Sequence, residues 1–329
     1  MYPFFSRRQL LTSALAGASS AAVFPRAFAQ AKKPVKLLAG NKGSTSALYP
    51  HFLKSPVVDV SSLEISYVGS APGQMQLQLL SGAINVGGYG ALGVAEANLR
   101  GADFRLFAPF DHNHSSWIVR GNSPYKSIHD LKGKKVATLP INTDTVRQAE
   151  LACALNGLSL KQDFRMSYGP ALVSLALFER GDVDAVIAIE PNSTRLIAKG
   201  AREIVKVRDL WSQATGDSSL FLVGWAASDA WLKANDAAAH TIARAYYDIN
   251  REIVRNPKVV TQPAYLEALG VPASETRAVE LLPQRIADIT SVDWGGAVFR
   301  NIEKQLELAV KHGLIPYRPA QPIYTPSVL

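Results

Sequence analysis

Short β-branched runs alternate with helical patterns along this chain, and that alternation restricts it to α/β folds built on parallel strands. Val35–Leu38, Leu63–Val68, Ile84–Val86 and Arg105–Ala108 read as one set of strands, and Lys135–Thr138, Ala185–Ile189 and Ile204–Val207 as a second. Ala185–Ile189 is apolar at every position, as a strand covered on both faces should be. Leu63, Ile65 and Tyr67 alternate with polar residues instead, which suits a strand near a sheet edge. Helical spacing over Thr145–Asn156 stops at Gly157. Leu220–Ala226 reads as one more strand, and from Ala230 the chain is helical; Phe299, Ile302, Leu306, Ala309 and Val310 mark a last helix closed by Gly313. Leu80–Val86 and Glu179–Ala185 share one pattern: a helix end, a glycine, a β-branched residue, Asn or Asp, then an apolar strand. Gly82 and Gly181 lie 99 residues apart, the echo that two similar lobes would give.

The first thirty residues carry a different signal. Arg7-Arg8 precede an uncharged, mildly apolar run from Gln9 to Pro25, and Ala27-Phe28-Ala29 and Ala29-Gln30-Ala31 offer peptidase sites. That order marks an export signal, and the arginine pair with a weak apolar run resembles a twin-arginine signal over residues 1–29. A spanning helix needs about 20 apolar residues, and no cysteine stands at the cleavage site to take a lipid. The expectation is a soluble periplasmic protein starting near Gln30 or Lys32. The 329 residues supply 35 Lys and Arg against 27 Asp and Glu; cleavage removes Arg7, Arg8 and Arg26, leaving 32 against 27, or +5. The bases are scattered among acids, so nucleic acid is excluded as a partner and a mild bias towards small anions remains. Cys153 is the only cysteine, so no intrachain disulfide forms in spite of the oxidising destination.

Gly73–Gly87, Ile128–Ala137 and Ala176–Val186, the last two carrying D-L-K-G-K-x-V-A and F-x-x-G-x-V-D-A patterns, resemble the solute-binding proteins of ABC importers. The similarity is to the family handling aliphatic sulfonates, taurine, nitrate and thiamine-pyrimidine precursors, and it runs from about Val35 to Trp211. It implies a two-lobed periplasmic binding protein type II fold: two mixed sheets flanked by helices and two crossover strands, near Ile118–Arg120 and Ser219–Val223. Residues 34–119 would begin the first lobe, 120–220 form the second, and 221–329 return to the first. The implied partners are a small solute held between the lobes and an inner-membrane permease, with the protein a monomer and no cofactor.

In open parallel sheets, ligands bind beyond the carboxyl ends of the strands, where helix starts present free N–H groups. That rule selects Asn41, Lys42, Gly43 and Ser44 after the first strand, Ser70, Gly73 and Gln74 after the second, and Tyr89 and Gly90 in a loop after the third. In the second lobe it selects Asn142, Thr143, Asp144 and Thr145, then Gly169, with Glu190 after the Ala185–Ile189 strand. The same hydroxyls and amides also suit helix caps. Arg147 sits in a first helical turn, where a cation is disfavoured; Asp144 or a bound anion would offset that. Asp111-His112-Asn113-His114 falls short of a metal set, so a polar cleft rim with His112 or His114 donating is expected. Tyr89, Phe110, Trp117, Phe221 and Trp225 would favour a ring-bearing solute if two or more lined the cleft. Cys153 lies on an apolar helix face and reads as structural.

Two enzyme readings share the fold. Desulfinases resembling these proteins carry a cysteine after the first strand, where this chain has Asn41-Lys42-Gly43-Ser44; pyrimidine synthases carry a cysteine-rich iron motif that one cysteine cannot make. A binding protein for an anionic solute is therefore expected, a neutral or aromatic solute, a sensory presenter and a same-fold enzyme being the alternatives.

Overall fold

The computed structural model describes residues 32–326, so the arginine pair and the candidate cleavage sites lie outside the described residues. In chain order the strands are β1 (Lys33–Gly40), β2 (Leu63–Ser70), β3 (Gly87–Gly90), β4 (Phe104–His112) and β5 (Ser116–Val119). They continue as β6 (Lys135–Thr138), β7 (Arg165–Tyr168), β8 (Ala185–Ala188), β9 (Arg202–Lys206) and β10 (Phe221–Ser228). The helices before β5 are α1 (Tyr49–Phe52), α2 (Gln74–Leu80) and α3 (Ala91–Leu99). Those before β10 are α4 (Asp144–Leu155), α5 (Ala171–Arg180), α6 (Asn192–Ala198) and α7 (Val207–Thr215). The return carries α8 (Asp229–Ala234), α9 (Asp236–Arg255), α10 (Pro263–Leu269), α11 (Thr276–Ile289) and α12 (Gly296–Lys311).

These make two mixed sheets flanked by helices. In the first, β2 and β1 run parallel, β1 meets Val86 through a parallel bridge at Leu37, and β3, β10 and β4 follow side by side. The second has the order β7-β6-β8-β5-β9. Each holds one antiparallel strand that the chain has carried over from the other sheet, β10 in the first and β5 in the second. The sequence echo is the same step in each: α2 ends before Gly82 and leads to β3, and α5 ends at Gly181 and leads to β8. Both glycines take left-handed φ, 72° and 89°, where a side chain would strain the helix stop.

Four features depart from the sequence reading. Ser116–Val119 pairs with β8 and β9, so the chain changes sheets at Asn113–Ser115, ahead of the expected Ile118–Arg120. Gly88-Tyr89-Gly90 is not a loop but strand, lying opposite β10, while Ile84 and Asn85 form no strand. Glycine is depleted in strands, which is why this one is silent in sequence. Asp111 and His112 likewise belong to β4 rather than to a loop after it. β7 escapes notice because Arg-Met-Ser-Tyr has no alternation.

The first sheet is covered by returning helices, α9 packing on β4 and α12 on β10 and α3. Its centre is aromatic: Trp225 stacks on Tyr246 at 3.9 Å and on Phe110 at 4.6 Å, with Tyr49 edge-on at 4.8 Å. Each such pair adds about 0.5–1.5 kcal/mol beyond area burial. The rigid block they form fixes the end of β4, where Asp111 stands.

Candidate functional site

The loops that leave β1, β2, β6 and β8 point at one another across the two sheets and enclose a cavity of ≈ 50 Å³. From the first sheet it is walled by Ser44, Thr45, Ser46, Pro72, Met75 and Gln76, with Phe110, Asp111 and Val223 as its floor. From the second come Leu139, Thr143, Asp144, Thr145 and Ile189, and His114 lies at the crossing. A water needs about 10–15 Å³ by this measure, so the space suits a solute of a few heavy atoms.

The hydroxyls here do not cap their helices. Ser44 Oγ lies 2.7 Å from Ser46 Oγ, and Thr143 Oγ1 donates to the Pro140 carbonyl at 2.7 Å. Thr45 Oγ1 donates to Asp111 Oδ2 at 2.7 Å. In α4 the Val146 and Arg147 amides both reach the Thr143 carbonyl at 3.1 Å. The amides ahead of them, at the helix start, have no intrahelical partner and carry the positive end of the helix dipole.

The start of α3 is already filled. Asp144 crosses from the second lobe and accepts from the Gly90 amide at 2.9 Å and the Gly93 amide at 2.8 Å. A Cβ on Gly90 would lie 2.3 Å from the Asp144 carboxyl carbon, and one on Gly93 2.8 Å from Oδ1, so both positions must be glycine for the carboxylate to seat. Burial pushes the Asp144 carboxyl above its ordinary value, against the pull of Arg147 and the two amides.

Asp111 differs. It is 2% exposed and, among the described residues, its one side-chain hydrogen bond is from Thr45. Burial raises its carboxyl to about 7, Thr45 drawing it back in part. His114 is buried beside the cavity; burial, then the Arg208 charge, lowers its imidazole to about 3, and Nδ1 has no hydrogen-bond partner among the described residues.

Of the sixteen residues chosen from sequence, Ser44, Thr143, Asp144 and Thr145 line the cavity. Lys42 is exposed and pairs with Glu267 at 3.2 Å; Asn41 and Gln74 are exposed, and Ser70 is buried away from the cavity. The Gly43 carbonyl accepts from Asn192, and the Gly73 carbonyl from Asn142, both ties between lobes. Tyr89 is buried and Gly90 serves Asp144. His112 lies 3.5 Å from Ser219 Oγ, the Gly169 amide bonds the Thr138 carbonyl, and Glu190 is held by Arg285 at 2.7 Å and by Thr194. Ser46, Met75, Gln76, Leu139 and Ile189 were not foreseen; each lies within two residues of a strand-end loop, and that proximity was the available signal. Phe110 alone of the five aromatics lines the cavity. Arg147 turns away, to Glu96 at 2.8 Å and the Asn142 carbonyl at 2.6 Å. It lines a larger groove of ≈ 310 Å³ on the outer side of α3 and α4, where Arg147 pairs with Glu96 and Lys161 with Glu150 at 2.7 Å. Those acids answer two of the cations that line the groove, Arg100 being a third. Among the described residues no three His, Cys, Asp or Glu gather as a metal site, and no helix is long and apolar enough to cross a membrane.

The family model described as ABC transporter, phosphonate, periplasmic substrate-binding protein matches residues 61–267. A protein of Escherichia coli strain K12 named for binding aliphatic sulfonates is 28% identical over 204 residues, 60% of this chain and 62% of that relative. The chain thus spans under two thirds of that relative's length. The alkanesulfonate-binding protein SsuA of Xanthomonas axonopodis pv. citri, solved bound to MOPS, matches with a TM-score of 0.71 at 20% identity, over 90% of this chain and 99% of that one. The periplasmic aliphatic sulphonate binding protein SsuA of Escherichia coli matches with a TM-score of 0.66 at 20% identity, over 88% of this chain and 95% of that one. The desulfurization enzyme DSZB has the same fold at a TM-score of 0.59.

Proposed function

The chain belongs to the periplasmic substrate-binding family of ABC transporters whose model it matches over residues 61–267, and from that premise we infer that it captures a small solute between its lobes and delivers it to a membrane permease. The observation that carries this is the convergence of strand-end loops from both sheets on one cavity. The solute's oxyanion head sits at the start of α4, taking the free first-turn amides with the Thr145 hydroxyl, while Ser44–Ser46 and Gln76 close on it from the first lobe. A sulfonate or phosphonate fits that set. The cavity's size favours a compact solute over an aromatic one.

Closure follows from two lobes meeting over one ligand, and it is driven by the ligand's differential affinity for the closed state. The export signal and family together support a periplasmic, monomeric protein working without cofactor. A same-fold enzyme is the weaker reading: the loop after β1 has no thiol, and Cys153 is fully buried in α4, its thiol pushed up by burial to about 12. A thermal-shift panel of alkylphosphonates, alkanesulfonates, taurine and nitrate tests the reading. A solute at 100 times its Kd adds about 2.7 kcal/mol, a shift of several degrees. A flat response across the panel, with no permease genes beside the coding sequence, would count against it.

A further inference from the structure

The groove outside α3 and α4 has about six times the volume of the solute cavity, ≈ 310 Å³ against ≈ 50 Å³. That places it within the roughly 300–1,000 Å³ of small-molecule sites. Both lobes build it: α3 and the turn after α12 come from the first, Ile141, α4 and Lys161 from the second.

Its charges do not cancel. Glu96 and Arg100 stand at i and i+4 on α3, a spacing at which such residues ordinarily pair. Glu96 turns instead to Arg147 on the second lobe at 2.8 Å, and Lys161 takes Glu150 at 2.7 Å. Arg100 is left exposed at the C-cap of α3, where the helix dipole favours a cation, and among the described residues no carboxylate pairs with it. Three cations against two carboxylates leave one positive charge in excess. The rest of the lining is largely apolar: Ile141 is 52% exposed, and Leu314 and Ile315 share the groove with it.

We propose that this groove is a second binding site, for a small organic monoanion with a hydrocarbon body, its charge on Arg100 and its chain against Ile141, Leu314 and Ile315. Each methylene it buries adds to affinity, so a bare inorganic anion is a poor occupant. The ligand touches both lobes, beside the Arg147–Glu96 pair that already joins them. It therefore binds the closed form better than the open one and shifts the population towards closure. Its role is that of an effector bound apart from the solute, and it goes beyond the solute-binding reading above.

Hexanoate is the probe, with acetate, hexan-1-ol and hexylamine as controls, titrated into the full chain carrying labelled Ile and Leu methyl groups. The Ile141, Leu314 and Ile315 methyl resonances should shift with hexanoate, while those of Leu139 and Ile189 in the solute cavity stay in place. Each control should bind at least tenfold more weakly. Arg100→Ala should cost hexanoate about tenfold in affinity, and Arg100→Lys, which keeps the charge, should recover most of it. At saturating hexanoate, hydrogen exchange at the Gly90 and Gly93 amides, which hold Asp144 of the other lobe, should slow at least threefold. Silent groove methyls, or an equal response to the alcohol, would overturn the site. Shifts confined to Leu139 and Ile189 would put hexanoate in the solute cavity, which refutes the second site and leaves the solute-binding reading standing. Groove shifts with unchanged amide exchange would mean that the ligand does not join the lobes, and the effector role falls.

Discussion

Asp144→Asn probes the contact that ties α4 to α3 across the cleft. The carboxylate takes two backbone amides at 2.9 and 2.8 Å, and hydrogen bonds to a charged group are worth about 1.5–3 kcal/mol each. Asparagine has nearly the same shape, and its Oδ1 can keep one amide in a neutral bond of about 1 kcal/mol. Its Nδ2 then faces the other amide, donor against donor, and the favourable charge at the α3 start, up to about 2 kcal/mol in a partly buried setting, is gone. The closed form should lose about 2–4 kcal/mol. Since the lobes can part and give both amides to water, much of this appears as easier opening rather than as global unfolding. Hydrogen exchange at the Gly90 and Gly93 amides, followed at pH 8 to keep the wild-type carboxyl ionised, should quicken by about 30- to 700-fold on the scale of 1.4 kcal/mol per decade. Small-angle scattering should show a larger radius of gyration in the ligand-free variant. Exchange within about threefold of wild type, with an unchanged scattering profile and unfolding midpoint, would show that Asp144 does not latch the lobes.

Arg147→Ala should leave solute Kd within about twofold and lower stability by about 1–3 kcal/mol, the worth of charged hydrogen bonds, because the guanidinium is spent on Glu96 and Asn142; calorimetry and urea unfolding read the two effects, and a tenfold loss of affinity would return it to the site. Asp111 and His114 oppose each other in the pH profile. Raised to about 7, Asp111 holds its proton more firmly folded than unfolded, so its contribution is fullest below about pH 4 and fades as pH rises through 7. Lowered to about 3, His114 contributes fully above about 6.5 and fades as pH falls. Relative to wild type, Asp111→Asn should therefore gain stability as pH rises from 4 to 7, by at most about 4 kcal/mol, and His114→Gln should gain it as pH falls from 6.5 towards 3; denaturant midpoints across pH 4–8 check both signs, and parallel profiles would refute the assignments. Cys153, with its thiol up near 12, should resist alkylation in native protein and react once urea unfolds the chain; native labelling would mean α4 opens locally.

The strands whose side chains carry the signal were legible: Ala185–Ile189 is apolar because both faces of β8 are covered, and Leu63–Val68 alternates because β2 is an edge. What escaped was set by distant partners. Ser-Trp-Ile-Val at 116–119 would suit either sheet, and its pairing with β8 and β9 decides which. Arg147 finds Glu96, 51 residues earlier, where sequence offered only Asp144. Asp111 looked like part of a weak metal motif, since neither its burial nor its bond from Thr45 is written nearby. The strand-end rule leads to Ser44 and Thr143–Thr145 in the cavity wall, and at Gly90 it leads to amides already in use. The amides at the start of α3 do hold an oxyanion, as the rule requires, but it is the chain's own Asp144. With that helix start occupied from within, the free amides beside the cavity are those of α4, and the carboxylate that seats on α3 is the first residue of α4 itself. Seating Asp144 on one lobe therefore fixes where the start of α4 stands on the other.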